Sequence, residues 1–394
     1  MEHILEEAKR ISAEIAEWRR HLHQTPELGL ETPKTSAYIV QELKKMGVEE
    51  IRERVGGWGV AALVKGEKPG KTLAIRADCD ALPIKEETGL PFASKNGLMH
   101  ACGHDAHTAM ALGAAKLLLA HKAELAGTVK FIFQPAEENV QGAKAMIDDG
   151  VMENPHVDAL IGLHTGCLWQ EIGPGEIGVR FGSLMAAVDR FVVTFKGKGG
   201  HGATPHLAVD PVTMTATAVL ELQTILSREL SPLDAAVLTV GRIEGGKSFN
   251  IIPESCLIEG TVRTLNPATR AFVEERLRAV VSRVADGMRG VAEVEYESGP
   301  PPLINDTDFT RTFQAFAARL AGAEKVKEIG EPTMGGEDVA YFLEMVPGTF
   351  FVHGSCSPEK GQVYPHHNPK FDIDEETFPL GSALFAGFAL SWQQ

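Results

Sequence analysis

The chain has 394 residues, 44% of them apolar, more than one core usually holds, so two domains are expected. Its formal net charge of -15 opposes binding to a phosphate backbone or an anionic membrane, both of which need a basic surface field, and no block of Lys and Arg reverses this locally. The start, Met1 to Glu7, has neither the basic stretch nor the apolar core of a leader, and no run of about 18 apolar residues follows, so a cytoplasmic protein is expected.

Residues 4–22 set Ile4, Ala8, Ile11, Ile15, Trp18 and Leu22 at helical spacing, which predicts one amphipathic entry helix, and a second is expected over 35–46. Short apolar runs at 60–65, 72–77, 128–133, 157–163 and 348–352, each followed by polar residues, Gly or Pro, read as buried strands. Helical stretches at 106–120 and 143–148 separate several of them, the pattern of an α/β sheet flanked by helices. Polar residues just past such strands converge at the carboxyl edge of the sheet.

From about 183 to 297 the pattern changes to strand 189–196, helix 211–230, strand 235–243, strand 254–264, helix 267–287 and strand 291–296. That order, βαββαβ, is ferredoxin-like and complete in itself. The α/β signals then resume with 308–320 and 348–352, so an inserted domain (183–297) is expected within a larger discontinuous one (1–182 and 298–394).

The stretch His100-Ala101-Cys102-Gly103-His104-Asp105-Ala106-His107 puts a thiol and imidazoles just before a helix, and these are ligands of borderline-soft divalent metals. Alone, it reads equally well as a buried Cys beside helix-capping residues. Other segments decide. The 128–133 strand runs into Glu137-Glu138, the 157–163 strand ends in His164, and His366-His367 lies near the C-terminus. Together they supply one thiolate, at least three imidazoles and a carboxylate, enough for two adjacent metals with open positions. Five cysteines, at 79, 102, 167, 256 and 356, are odd in number and lack CxxC spacing, so each is read singly as a buried thiol or a ligand.

At these residues the chain resembles the M20 metallopeptidase family, in the amidohydrolase branch with hippurate, N-acyl-amino-acid and auxin-conjugate hydrolases. The likeness runs nearly the whole length, through Arg20-His21-Leu22-His23-Gln24-Thr25-Pro26-Glu27, Arg76-Ala77-Asp78-Cys79-Asp80, Cys102-Gly103-His104-Asp105 and Gln134-Pro135-Ala136-Glu137-Glu138. It continues in Gly162-Leu163-His164, Gly200-His201-Gly202-Ala203-Thr204-Pro205-His206, Asn250-Ile251-Ile252-Pro253, Met334-Gly335-Gly336-Glu337-Asp338 and His367-Asn368-Pro369. The resemblance implies Cys102 bridging two divalent metals (Zn, Mn, Co or Ni), with Glu138 and His367 completing one site, His104 and His164 the other, and Glu137 as catalytic base. It also implies an inserted lid that pairs two subunits into a homodimer. Two departures are Cys79, where the branch usually has Met, and Thr165-Gly166-Cys167 after His164, where bulkier apolar residues are expected. Cys167 is read as a buried inert thiol or one near the metals.

Amide hydrolysis needs a base, stabilisation of the oxyanion and an acid for the leaving amine. His201 is the candidate oxyanion donor from the insert; without the family motif it reads as an exposed loop histidine. Arg263 is the candidate for a substrate carboxylate, Asn250 for the scissile group, Gly335 for close backbone approach, and Asp80 for the shell behind the metals. His100, His107 and His366 are set aside as non-ligands. The substrate expected is a small N-acyl amino acid or short peptide, with no nucleic acid and no membrane. A dipeptidase or carboxypeptidase, an N-acetyl-diaminopimelate-type deacetylase, and an inactive binding protein on the same fold are the competing readings.

Overall fold

A computed structural model describes residues 2–392, which leaves Met1 of the start and the last two residues outside. The chain divides into two compact units: Met1–Gly182 with Ile304–Glu331 and Asp338–Gln394, and Ser183–Leu303 with Pro332–Glu337. Residues 298–303 and 332–337, assigned from sequence to the larger domain, go with the insert because backbone pairing holds them there. Gly299 N–H donates to Val188 O, and Met185 bridges Thr333.

The first unit is built on an eight-stranded sheet. Its strands are β1 (Glu50–Val55), β2 (Gly59–Lys65), β3 (Lys68–Asp78), β4 (Ala126–Gln134), β5 (Ala159–Gly166), β6 (Ile177–Val179), β7 (Val326–Glu328) and β8 (Gly348–Gly354). They lie in the order β1-β2-β4-β3-β5-β8-β6-β7. The centre, β4, β3, β5 and β8, is parallel; β1 and β2 join antiparallel. From Thr72 to Asp78, β3 is buried continuously, as a central parallel strand covered on both faces must be. The entry helix is two helices, Glu2–Arg10 and Ser12–Gln24, divided by a turn at Ile11.

Helices His104–Ala120 and Phe378–Trp392 bury almost every residue; the second is apolar all round and has no stripe to read, whereas the first opens on the buried polar His104, Asp105 and His107. They approach closely: a Cβ on Gly381 would sit 2.1 Å from Met110 Sδ. Phe313 stacks on Phe351 at 4.5 Å and meets Phe388 edge to face at 5.3 Å. Full burial of each such ring stabilises by about 1.5–3 kcal/mol. This core fixes the strand ends that carry the polar residues. No helix among the described residues is long and apolar enough to cross a membrane.

The second unit has an antiparallel sheet in the order Ala236–Gly245, Ser255–Thr264, Ala187–Lys196, Val291–Ser298. With helices Pro211–Thr224 and Pro267–Gly287 this is the βαββαβ arrangement. Asp210 and Asn266 cap the helices by accepting the Val212 and Ala268 N–H groups, and Pro occupies the first turn of each. The first of them stops at Thr224, short of the expected residue 230, where a wider turn over Ile225–Glu229 takes over. Ala187–Lys196 alternates buried with partly exposed residues, one face toward the core of Phe191, Val193 and Phe195.

Candidate metal centre

β3, β4 and β5 run parallel with Asp78 opposite Gln134 and Arg76 opposite Gly162, so their carboxyl ends stand side by side. Asp78 ends β3, Glu137 and Glu138 follow β4, and His164 lies inside β5, which extends to Gly166 rather than stopping at 163. Cys102 and His104 arrive at the start of helix His104–Ala120, turned in by Gly103 at φ 86. His367 comes from the C-terminal segment, where its N–H donates to Ala101 O at 2.9 Å.

These residues form two triads that share one thiol: Cys102, His104 and His164, and Cys102, Glu138 and His367. In each, one ligand atom per residue lies within 4.8 Å of the others. Cys102 Sγ is 3.5 Å from His164 Nε2, and Glu138 Oε2 is 3.4 Å from His367 Nε2. Two ring nitrogens are oriented from behind: His104 Nδ1 donates to Asp80 O (3.0 Å) and His164 Nδ1 to Thr165 O (2.9 Å), which leaves each Nε2 facing the cluster.

The donors fit a divalent cation on two counts. One thiol, three imidazoles and a carboxylate are the ligand set of borderline-soft metals. His104 Nε2 and Glu138 Oε1 are also buried without a hydrogen-bond partner, a cost of about 1–3 kcal/mol each unless something else satisfies them. The electrostatics agree. Burial opposes the His104 imidazolium, yet Asp78, Asp80 and Glu138 outweigh it and push the group up to about 10. Burial, with Asp80 and Asp78 adding to it against His104, pushes Glu138 up to about 7. Both express an excess of negative charge that a cation would neutralise. Burial, then His107 and His366, holds His164 well below the usual imidazole value, so it is a neutral donor.

Asp80 is buried and does three things. Its two carboxylate oxygens accept the N–H groups of Glu137 (3.0 Å) and Glu138 (3.2 Å), and its carbonyl holds His104. The Glu137–Glu138 pair is thereby fixed by backbone, with Ala136 before it in the left-handed region at φ 59. Glu137 Oε2 lies 3.8 Å from His104 Nε2.

Of the residues set aside, His107 has both nitrogens occupied, Nδ1 by Asp78 and Nε2 by the Thr165 N–H, so it has no lone pair to offer. His366 Nε2 bonds Thr165 O at 3.1 Å. Sequence reasoning passed over this support of Thr165 from both sides; the one available signal was His104 and His107 three apart on a helix face. Asp105 turns away to Arg19 and His23. His100 is buried with no hydrogen bond to either ring nitrogen.

The remaining expected residues belong to the second unit. His201 is exposed, its Nδ1 accepting from Ala203 N–H at 3.0 Å, and it pairs with Ile251 across a two-stranded ladder. That ladder brings Asn250 beside it, since Gly202 N–H donates to Asn250 O. Arg263, half-buried, donates only to Thr261 Oγ1 and Val262 O and meets no carboxylate among the described residues. Gly335 has no need of glycine in its own fold, because an added Cβ would meet nothing closer than 3.4 Å. The glycine the packing demands is Gly336, whose Cβ would fall 2.0 Å from Val188 Cγ2.

The family model for peptidase family M20/M25/M40 matches residues 74–391. The chain belongs to that family. This M20/M25/M40 chain is 45% identical over 358 residues to an N-acetyl-L-cysteine deacetylase of Bacillus subtilis, 91% of this chain and 83% of the relative. It is 41% identical to the Arabidopsis thaliana IAA-amino acid hydrolase ILR1-like 5, over 94% of this chain and 85% of that one. Among solved structures, the Bacillus subtilis YXEP protein, described as a dinuclear metal binding peptidase from M20 family, superposes with a TM-score of 0.85 at 37% identity, covering 98% of this chain and 99% of that one.

Proposed function

We propose that this member of the family is a two-metal amidohydrolase that cleaves the amide bond between an acyl group and an amino acid. The observation that carries the reading is the single thiol of Cys102 common to two triads, with a further carboxylate, Glu137, beside them. The named activities of the two relatives, a deacetylase and an amino-acid conjugate hydrolase, support the substrate class.

Cys102, His104 and His164 would hold one ion; Cys102, Glu138 and His367 the other. Two divalent ions held there would supply Lewis acidity toward a water and toward the scissile carbonyl. Glu137 takes the proton from that water and returns it to the leaving amine. Asp80 keeps Glu137 and Glu138 divergent, so one carboxylate ligates while its neighbour works. Arg263, a half-buried guanidinium with no carboxylate of its own, receives the free carboxylate of the amino acid. His201 and Asn250, exposed together on the insert, act as donors to the oxyanion and the scissile group from a second subunit.

The insert is proposed as a lid and dimerisation domain. Its edge strand leaves Val237 and Ile243 exposed, and Leu220, Leu233, Phe249 and Ile251 stand bare nearby in sequence, surface that pairing with a second copy would cover. None of the five cysteines is in a disulfide, in keeping with a reducing, cytoplasmic setting.

The test is metal-depleted protein, reloaded separately with Zn, Mn, Co or Ni and assayed on hippurate, N-acetyl amino acids and dipeptides. Activity on the acylated amino acids should return with a divalent ion. Full activity without metal refutes the mechanism, and dipeptides turning over faster than every acylated amino acid refutes the substrate class.

A further inference from the structure

Two of the free thiols stand against each other, apart from the proposed ligands. β5 and β8 run parallel with Gly166 opposite Gly354, and just beyond that pair the Ser355 N–H still donates to Gly166 O at 3.3 Å. The two segments therefore leave the sheet side by side, carrying Cys167 and Cys356. The two thiols are near enough to shift one another's acidity, and Cys167 Sγ donates to Tyr364 O at 3.6 Å. Cys356 is buried and Cys167 partly exposed, so one sulfur is open to solvent with its partner behind it. The neighbouring Cys356 holds the Cys167 thiol below its ordinary value, while Cys167 and then burial push Cys356 up. The accessible sulfur is thus the better nucleophile.

We propose that Cys167 and Cys356 are a redox-modification site, closed to an intramolecular disulfide by hydrogen peroxide. Cys167, as thiolate, attacks one peroxide oxygen; the O–O bond breaks, and the sulfenic acid forms with release of hydroxide, which takes up the thiol proton as water. Cys356 sulfur then attacks Cys167 sulfur, the S–O bond breaks, and the departing hydroxide leaves with the Cys356 proton as a second water. Two electrons pass from the sulfurs to the peroxide.

The site has a route to the metal centre. Tyr364, whose carbonyl takes the Cys167 S–H, opens the segment that carries His366 and His367. His366 is packed on the Cys167 side so tightly that a Cβ at Gly166 would fall 2.0 Å from its Nε2. A disulfide removes the S–H from Tyr364 and draws Cys167 toward Cys356, so the support beneath His367 loosens and metal is held less firmly. This regulatory half rests on the two-metal reading; the bond itself does not.

The experiment treats metal-loaded full-length protein with hydrogen peroxide, blocks remaining thiols, and maps linked peptides by mass spectrometry. Metal content and hydrolysis of N-acyl amino acids are measured before and after dithiothreitol. A Cys167–Cys356 linked peptide is expected, with activity lowered about tenfold or more and restored by the reductant. Cys356→Ser should keep the reduced activity, form no link, and let peroxide carry Cys167 on to sulfinic acid, which the reductant does not reverse. Absence of the linked peptide in the wild type overturns the site. A link that changes neither metal content nor activity overturns the regulation, and equal, reversible loss in Cys356→Ser assigns the effect to Cys102 and overturns it too. Should no substrate be hydrolysed at all, the amidohydrolase reading fails while the peptide map still decides the disulfide.

Discussion

Asp80→Asn isolates what holds the two adjacent glutamates in place. The aspartate accepts the Glu137 N–H at 3.0 Å on one oxygen and the Glu138 N–H at 3.2 Å on the other. The substitution keeps the shape and one acceptor but sets an NH2 group against the second N–H. One charge-assisted hydrogen bond, worth about 1.5–3 kcal/mol, is lost. His104 keeps its bond to the residue 80 carbonyl but loses the carboxylate charge 3.4 Å from its Nδ1, so the damage falls on Glu137 and Glu138 and on the charge of the imidazole. At about 1.4 kcal/mol per decade, metal affinity and kcat together should fall roughly tenfold to a hundredfold. Competition against a chelator of known affinity reads the first, steady-state hydrolysis the second, and a thermal melt with metal bound establishes that the variant is folded. Metal affinity and kcat both within about twofold of the parent, in a folded variant, would refute the role assigned to Asp80.

Glu137→Gln should retain both metals and lose turnover by about a hundredfold or more, measured as kcat alongside metal content; near-normal kcat removes Glu137 from the mechanism. Metal uptake should release protons. In the metal-free protein His104, pushed up to about 10, is charged at neutral pH, and Glu138, up at about 7, is partly protonated, so both must shed protons to ligate. Affinity therefore climbs with pH, more steeply below about 7 than between about 7 and 10, and calorimetry in buffers of different ionisation enthalpy checks it. Asp105→Asn should cost about 3 kcal/mol near neutrality by leaving buried Arg19 and His23 short of charge, read by urea unfolding. Burial alone would raise the Asp105 carboxyl, but Arg19 and then His23 hold it well below the usual range. Its contribution is thus present above about pH 4 and fades as pH falls further, so the gap between variant and parent should close in acid. Arg263→Ala should raise KM for N-acyl amino acids with little change in kcat, if the guanidinium binds the carboxylate equally in ground and transition states.

Much of this protein is written locally. The helix Pro267–Gly287 was legible to the residue because a capping Asn266, a Pro in its first turn and a long apolar period sit together. The βαββαβ order followed from periods switching between 2 and 3.6, and the candidate metal ligands from chemistry clustered just past strand-like runs. What the sequence withheld has physical reasons too. β6 and β7 are three residues each, too short to show a period, and Phe378–Trp392 is buried all round, so no stripe marks it. Ala136 and His367 adopt positive φ, at 59 and 63, without the glycine that would announce it, because surrounding contacts and not local preference set them there. His107 was set aside from sequence, but that Asp78 and Thr165, from two other strands, take both its nitrogens was not legible there; Cys167 and Cys356 are 189 positions apart and come together only because β5 and β8 run in parallel register. Residue type and period fix which groups can ligate or turn over a substrate, whereas which lone pairs remain free, and which thiols touch, depends on partners that only the folded sheet brings within hydrogen-bond reach.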